Sequence, residues 1–319
     1  MRRVARLFLR LVIALVIFAV GSLLWAHYDI AREGGPLPRI EAWVGRPPDT
    51  DRPVRLAVIN TASQPVPRRA VLDRGRDPHP DRPYVMSHPA FVLEWADGRL
   101  LLIDVGMTPD QARTFGRILA WAAGAGPLAA HRSVAEALGG AAKRVRGVLF
   151  THLHTDHVGG IAALCAAAAH ELPVFMTVAQ AQRTNYTTRP GLVELRDAVC
   201  VQPFAVEGGT PMAVAGFPGV FVIDAGGHTP GSEIILATVG TGAARCYAFT
   251  GDIVNNLDGI TYDVAKPWWY RTLIVPESAA RQTELRQWLK RLQDEAGCTL
   301  LVSHDQLALE RAGIAPWSE

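Results

Sequence analysis

Within Thr151-His152-Leu153-His154-Thr155-Asp156-His157 the chain concentrates three imidazoles and a carboxylate. These side chains ligate borderline divalent metals, and zinc is the usual occupant of such a set. The spacing suits the task. In an extended segment alternate side chains share a face, so His152, His154 and Asp156 can point one way, and His157 reaches a neighbouring position from the turn.

Three other apolar runs end in the same kind of residue. Residues 220–224 lead into Ala225-Gly226-Gly227-His228, where the glycines allow a tight backbone around the imidazole. Residues 246–249 lead to Thr250-Gly251-Asp252, and residues 299–302 to Ser303-His304. A single His or Asp at a strand end is most often structural. Together, five histidines and two aspartates supply donors for two metal ions that share a carboxylate and a water. Asp104 ends the run 100–104 and has two readings: a turn aspartate, or an acceptor that holds a ligand histidine in one tautomer. His79 and His88 are expected at the surface.

The elements that must position these residues can be read from pattern. Residues 145–150 form a buried strand that hands over, through the histidine cluster and Gly159-Gly160, to a packed helix ending near Ala169. Residues 54–60 form a first strand, and residues 90–95 and 100–104 a hairpin turning at Asp97-Gly98. Thr108-Pro109-Asp110 starts a helix that runs to about Ala123, and a short helix spans 133–138. Residues 174–178 and 234–237 are strands, 184–189 a loop. Residues 277–296 have helical spacing, with Leu285, Trp288, Leu289 and Leu292 on one face. Residues 64–83 form a long polar loop, either mobile or part of a rim. The insert after Asp252, residues 255–271, is expected to contact substrate through Asn255, Tyr262, Trp268, Trp269 and Tyr270. Three consecutive aromatics cannot all face one core.

Hydrophobic residues make up 49% and charged residues 19% of 319, enough for one large domain or two modest ones and incompatible with general disorder. Cys165, Cys200, Cys246 and Cys298 form no C-x-x-C pair; they are buried thiols or one or two disulfides of undetermined pairing. Arg2, Arg3, Arg6 and Arg10 precede an apolar run, 11–26, that with Leu7, Phe8 and Leu9 can span a bilayer of about 30 Å. The arginines place the chain beyond Tyr28 outside the cytoplasm. The run continues past the small-residue site at Ala19-Val20-Gly21, which favours an uncleaved anchor over a signal peptide and a secreted domain. The expected division is 1–28 anchor, 29–53 linker and tether, and 54–319 the domain that carries the candidate metal ligands. The formal charge is +2 and the four arginines before Tyr28 carry four positive charges without an acid, so the remainder is net −2. That is no electrostatic footprint for nucleic acid.

Taken in order, Asp104, the 152–157 cluster, His228, Asp252 and His304 resemble the motifs of the metallo-β-lactamase superfamily. The resemblance covers about 54–305. It implies a four-layer αβ/βα sandwich, an α/β fold with two mixed sheets face to face, helices outside and metals at one edge. It assigns one divalent ion to His152, His154 and His228, a second to Asp156, His157 and His304, and a bridging role to Asp252. The ions would be zinc, with iron or manganese as alternatives. Asp104 becomes the residue that orients a ligand, and Asp156 the catalytic group that orients a metal-bridging hydroxide and passes on a proton. The β-lactamases of the superfamily generally lack the bridging aspartate, so Asp252 points to the glyoxalase II and lactonase-like branch. Quorum-sensing lactonases carry tyrosine three residues after it, where this chain has Asn255. The resemblance thus implies a hydrolase of a small ester, lactone, thioester or phosphoester. The competing readings are a sensor module that keeps the metal site for binding, and a true β-lactamase.

Overall fold

The computed structural model describes residues 2–45 and 49–318; residues 46–48 of the expected linker and Glu319 lie outside the described residues. The strands of four residues or more are β1 (Arg55–Pro65), β2 (Val85–Glu94), β3 (Leu100–Ile103), β4 (Val145–Leu149), β5 (Leu172–Thr177), β6 (Val201–Val206), β7 (Val220–Asp224), β8 (Glu233–Val239), β9 (Arg245–Gly251) and β10 (Thr299–Val302). The first six form one sheet in chain order. Ala129–Ala130 and Ala315–Pro316, both paired with β1, bring it to eight strands. The second sheet runs β10-β9-β8-β7 and ends on Met212–Ala213. β1, β2 and β3 are antiparallel, whereas β3 to β6 are parallel, and β10 is parallel to β9.

Side-chain alternation explains the layers. Leu100 and Leu102 of β3 pack with Val92, Val148, Val134 and Leu164 under the helices of the first sheet. Leu101 and Ile103, pointing the other way, meet Phe91, Leu149, Ile235, Phe249 and Leu301 between the sheets. A strand covered on both faces reads as an unbroken apolar run, which is what Leu100 to Ile103 is. On the outer face of the second sheet, Ile234, Leu236 and Leu300 are covered by Leu285, Trp288, Leu289 and Leu292 of the Ala279–Ala296 helix. Burying each such side chain stabilises the fold by about 1.5–3 kcal/mol. The result is the expected four-layer sandwich.

Local signals act as expected. Thr108 and Gln111 cap each other at the start of the Pro109–Ala123 helix, which stops at Gly124 in the left-handed region. Ser133 and Glu136 do the same for Val134–Leu138. The long carboxy-terminal helix is capped by Ser278, so it starts after Glu277 rather than at it, and Glu277 is left for another task.

Several expectations are corrected. β1 runs on to Pro65, past an irregularity in register between Asn60 and Ser63. Of the two readings of the loop after it, the structure shows a packed segment. Val66, Val71 and Leu72 are buried with Tyr84 and Val264, and buried Arg68 donates to both oxygens of Asp77 and, at 3.0 Å, to Asp258. Residues 31–45 do not hang as a tether either. Ile40 and Trp43 pack in the outer core, Trp288 Nε1 donates to the Pro38 carbonyl at 2.8 Å, and Gly35 N–H donates to the Asp224 carbonyl at 2.9 Å. The cysteines are paired, Cys165 with Cys200 and Cys246 with Cys298.

The amino terminus forms a single helix, Arg2–Ile30. Residues 3–30 have a mean hydropathy of 2.7 in their most apolar stretch, none of it buried. By length and composition the helix can cross a membrane as an anchor or serve as a signal sequence. Its end is seated on the rest of the chain: Ala26 and Ile30 are buried, and His27 Nε2 hydrogen-bonds to the Thr272 carbonyl at 3.0 Å.

Candidate metal centre

All the expected ligands lie at one edge of the sandwich, where five strands end. β3 delivers Asp104, which takes a left-handed φ of 56°. Asp is one of the few residues that adopts this conformation readily, and it turns the carboxylate back across the sheet. Asp104 accepts from the Thr151 N–H and hydroxyl, both at 2.8 Å, and from His157 Nδ1 at 2.8 Å. β4 delivers the His152–His157 segment. β7 delivers His228 through Gly226 and Gly227, whose φ values of 60° and 79° reverse the chain at once. β9 ends at Asp252 and β10 at His304.

Donated protons fix the ring orientations. His157 gives its Nδ1 proton to Asp104, His228 gives its own to Glu277 Oε1 at 2.6 Å, and His304 to the Ser87 carbonyl at 2.7 Å. Thr151, having donated to Asp104, accepts from His152 Nδ1 at 3.2 Å. With Nδ1 so engaged, the Nε2 atoms of these four rings all point inward. His157 Nε2, His228 Nε2 and Asp252 Oδ1 are buried without a hydrogen-bond partner. His152 Nε2 and His154 Nδ1 face each other at 3.0 Å. Buried lone pairs left unpaired are costly, and convergence on a cation resolves them, so the donor set fits metal ions.

Three groups of side chains could each hold an ion: His152, His154, His228 and Asp252; His157, Asp252 and His304; and His88, Asp156 and His304. Asp252 joins the first two. Its Oδ1 lies 3.0 Å from His304 Nε2 and 3.3 Å from His157 Nε2, while Oδ2 lies 3.1 Å from His304 Nε2, 3.7 Å from His228 Nε2 and 3.9 Å from His152 Nε2. Asp156 Oδ2 is 3.4 Å from His304 Nε2 and 3.9 Å from His157 Nε2.

The electrostatics agree. Burial would lower His157, but Asp104, Asp156 and Asp252 outweigh it and hold the imidazole well above its usual range. His304 is raised mainly by Asp252 against the same burial penalty. Burial and then the His228 ring push His154 down to about 3, so it is neutral. Burial would raise Asp156, yet His157, His88 and His304 hold it ionised below the carboxylate range. The carboxylates thus draw positive charge into a buried site.

Four supporting residues were not expected. His88 lies in β2, not at the surface: it is buried, with Nδ1 3.3 Å from Asp156 Oδ2 and its ring against His304 and Phe115. The apolar pair Val85-Met86 ahead of it is the signal that the strand begins before Ala90. Tyr84 donates to the Asn255 carbonyl at 2.7 Å and also contacts the His304 carbonyl. Glu277 and Lys266 form a buried pair at 2.6 Å behind His228, and Lys266 also donates to the Asp252 carbonyl. Burial would raise Glu277, but Lys266 and His228 keep it below its usual range. Glu277→Gln should therefore loosen the His228 ring and leave Lys266 without its counter-charge. Metal affinity should fall by roughly 10–100-fold, read by titration against a chelator. Unchanged affinity would make Glu277 a packing group only.

The cleft over this centre has a volume of about 260 Å³ and is lined by Asn255, Trp269 and Tyr270, as expected of the insert. Tyr262 and Trp268 do not reach it. Tyr262 follows the short helix Asp258–Thr261, which Arg68 and Arg82 hold on the far side through Asp258, and its hydroxyl meets His79 at 3.4 Å. Trp268 points outward from the rim.

Two sheets face to face with a histidine–aspartate centre at their edge define a metallo-hydrolase sandwich. The family model for the metallo-beta-lactamase superfamily matches residues 83–304, and the chain belongs to that superfamily. Among solved structures it resembles an N-acyl homoserine lactone hydrolase with the product N-hexanoyl-L-homoserine bound at its catalytic metal centre. The TM-score is 0.60 at 14% identity, covering 84% of this chain and 99% of that one. It also resembles the hydrolase AbOPH of the beta lactamase superfamily, with TM-score 0.52, 16% identity and coverage of 81% and 91%. A third likeness is to a probable metal-dependent hydrolase from Staphylococcus aureus, with TM-score 0.51, 14% identity and the same coverage. At these identities the likeness is one of fold. Among curated proteins none matches the chain at a significant level.

Proposed function

We propose that the chain is a membrane-anchored, dinuclear metal hydrolase that cleaves a small ester, lactone, thioester or phosphoester. The observation that carries this reading is the set of buried Nε2 atoms converging on the two oxygens of Asp252. His152, His154 and His228 would hold one ion, Asp156, His157 and His304 the other, and Asp252 both. Imidazole with carboxylate suits zinc, and iron or manganese would also fit. Two such ions supply Lewis-acid polarisation of the scissile group and a water of strongly lowered pKa.

The chain's own groups do the rest. Asp156 is ionised at neutral pH, so its Oδ2 can accept a hydrogen bond from the attacking water and later hand a proton to the leaving oxygen. His88 keeps that carboxylate turned to the cleft. Asp104 and Glu277 hold the rings of His157 and His228. Water's oxygen joins the acyl or phosphoryl centre, the bond to the leaving group breaks, and the leaving oxygen or sulfur takes one of water's protons while the other passes to solvent. The likeness to a lactone hydrolase that holds its product at a metal centre supports an ester-type substrate. The test is a panel of chromogenic esters, lactones and phosphoesters given to the purified chain. Cleavage lost on chelation is the expected result; no cleavage of any class by the metal-loaded chain would overturn the reading.

We place the catalytic domain outside the cytoplasm. The arginines at the start of the helix favour that orientation, and two disulfides suit an oxidising compartment. The buried Ala26 and Ile30 fit a retained anchor better than a cleaved leader. Protease added to intact spheroplasts should digest the domain, and resistance would put it inside.

A further inference from the structure

The cleft is floored by charge and walled by carbon. Phe115, Ile118 and Leu119 form one wall, and Trp269, Ile274 and Val275 the other. The apolar surface does not stop at the mouth. Ile118 is 61% exposed, and Trp121, one turn along the same helix face, is 89% exposed; across the mouth Trp268 is 60% and Ile274 51% exposed. Large apolar side chains left bare on both lips of a cleft point to a docking surface.

The neighbouring helix indicates the partner. The wall that carries Trp268 and Ile274 is the wall on which the membrane-spanning helix ends. His27 of that helix hydrogen-bonds to the Thr272 carbonyl at 3.0 Å, and Tyr186 donates to the Ile274 carbonyl at 3.3 Å. Tyr186, with Thr184 and Asn185, forms a groove against Phe18, Ser22 and Trp25 of the helix, and the adjoining Thr187 lines the cleft. Trp25 and Tyr28 are exposed aromatics at the end of the apolar run, the place where such rings mark the headgroup level of a bilayer. Thr272 is bonded to His27, between Trp25 and Tyr28, so a bilayer around the helix would bring the exposed rim of the cleft to the membrane surface.

We propose that the cleft opens onto the lipid leaflet and that its substrate is an amphiphile taken from that leaflet. Its apolar acyl chain would lie between the Pro109–Ala123 helix and the Trp268–Ile274 segment, with its ester over the histidine–aspartate centre. The assignment of substrate rests on the hydrolase reading. For an acyl ester the acyl C–O bond breaks, water's oxygen joins the carbonyl carbon, and the alcohol oxygen takes one of water's protons. The other proton goes to solvent, leaving a fatty carboxylate.

The test uses the full chain reconstituted in phosphatidylcholine vesicles, with and without bromine on the lipid chains. The emission that disappears in the double variant Trp121→Phe/Trp268→Phe reports those two rings. It should be strongly quenched by the brominated lipid. Equal emission in both vesicles would overturn the docking, including the case in which the rim is covered by a protein partner. In the same vesicles the metal-loaded chain should prefer 4-nitrophenyl decanoate to the acetate by at least roughly a hundredfold in kcat/KM, because each added methylene gains affinity in an apolar pocket. Ile118→Glu, at an exposed position that leaves the core intact, should lower that ratio by about tenfold or more. A chain that cleaves the acetate without preferring the decanoate overturns the substrate class alone. A chain that cleaves neither overturns the hydrolase reading and the substrate with it, while the quenching still decides where the rim lies.

Discussion

Replacing Asp252 by alanine should lower the metal content of the purified protein from about two ions per chain to about one, and hydrolysis should fall with the second ion. The reason lies in the two oxygens of one carboxylate. Oδ1 faces His157, Oδ2 faces His152 and His228, and His304 Nε2 is within 3.1 Å of both. Two divalent charges at the ~3.5–4 Å of two-metal sites repel by roughly 18 kcal/mol at an effective dielectric of about 20. A shared anion is therefore the group the pair can least lose. The ion at His152, His154 and His228 keeps three neutral ligands. The other would keep Asp156, His157 and His304, but in the proposed mechanism Asp156 also serves proton transfer, so this ion should be the one that leaves. Lys266, the cation behind the site, binds the backbone carbonyl of residue 252 and remains in place in the variant. Elemental analysis beside activity checks the expectation. Two ions bound with unchanged affinity would show that Asp252 is not a bridge.

Asp156→Asn should have the second large effect. The amide keeps the size, but it cannot take a proton. The expected loss is about 10²–10⁴-fold in kcat with a much smaller rise in KM, measured on whichever ester the wild type cleaves best. Metal content must be determined on the same sample, because Asp156 also belongs to the His157 and His304 side of the centre. Near wild-type turnover would remove Asp156 from the chemistry.

Legibility in the sequence depended on whether a signal is local. The convergence of the candidate ligands was legible because strand, turn and donor are contiguous: residues 145–157 contain a strand, four candidate ligands and the turn that aims them. The same holds at His228, Asp252 and His304. The sandwich followed from runs such as Leu100 to Ile103, apolar on both faces. The supporting residues were not legible, since each is defined by a partner far along the chain. His88 has meaning only beside Asp156, and Glu277 only between His228 and Lys266. The edge strand Val201–Val206 was missed because Gln202 and Pro203 face solvent and break the apolar pattern. The linker looked loose because Pro38 and Gly35 are turn-formers, yet their carbonyls are acceptors for Trp288 and Arg281. Disulfide pairing is a matter of distance in space, which spacing in sequence does not encode.

The central claim is that two ions, not one, are needed for hydrolysis at this centre. Its most direct test is to strip the purified chain with a chelator and return zinc in measured steps while following cleavage of the best ester. Activity should stay low through the first equivalent and rise with the second, to the wild-type level at about two ions per chain. Full activity at one ion, or activity that survives complete removal of metal, would contradict it.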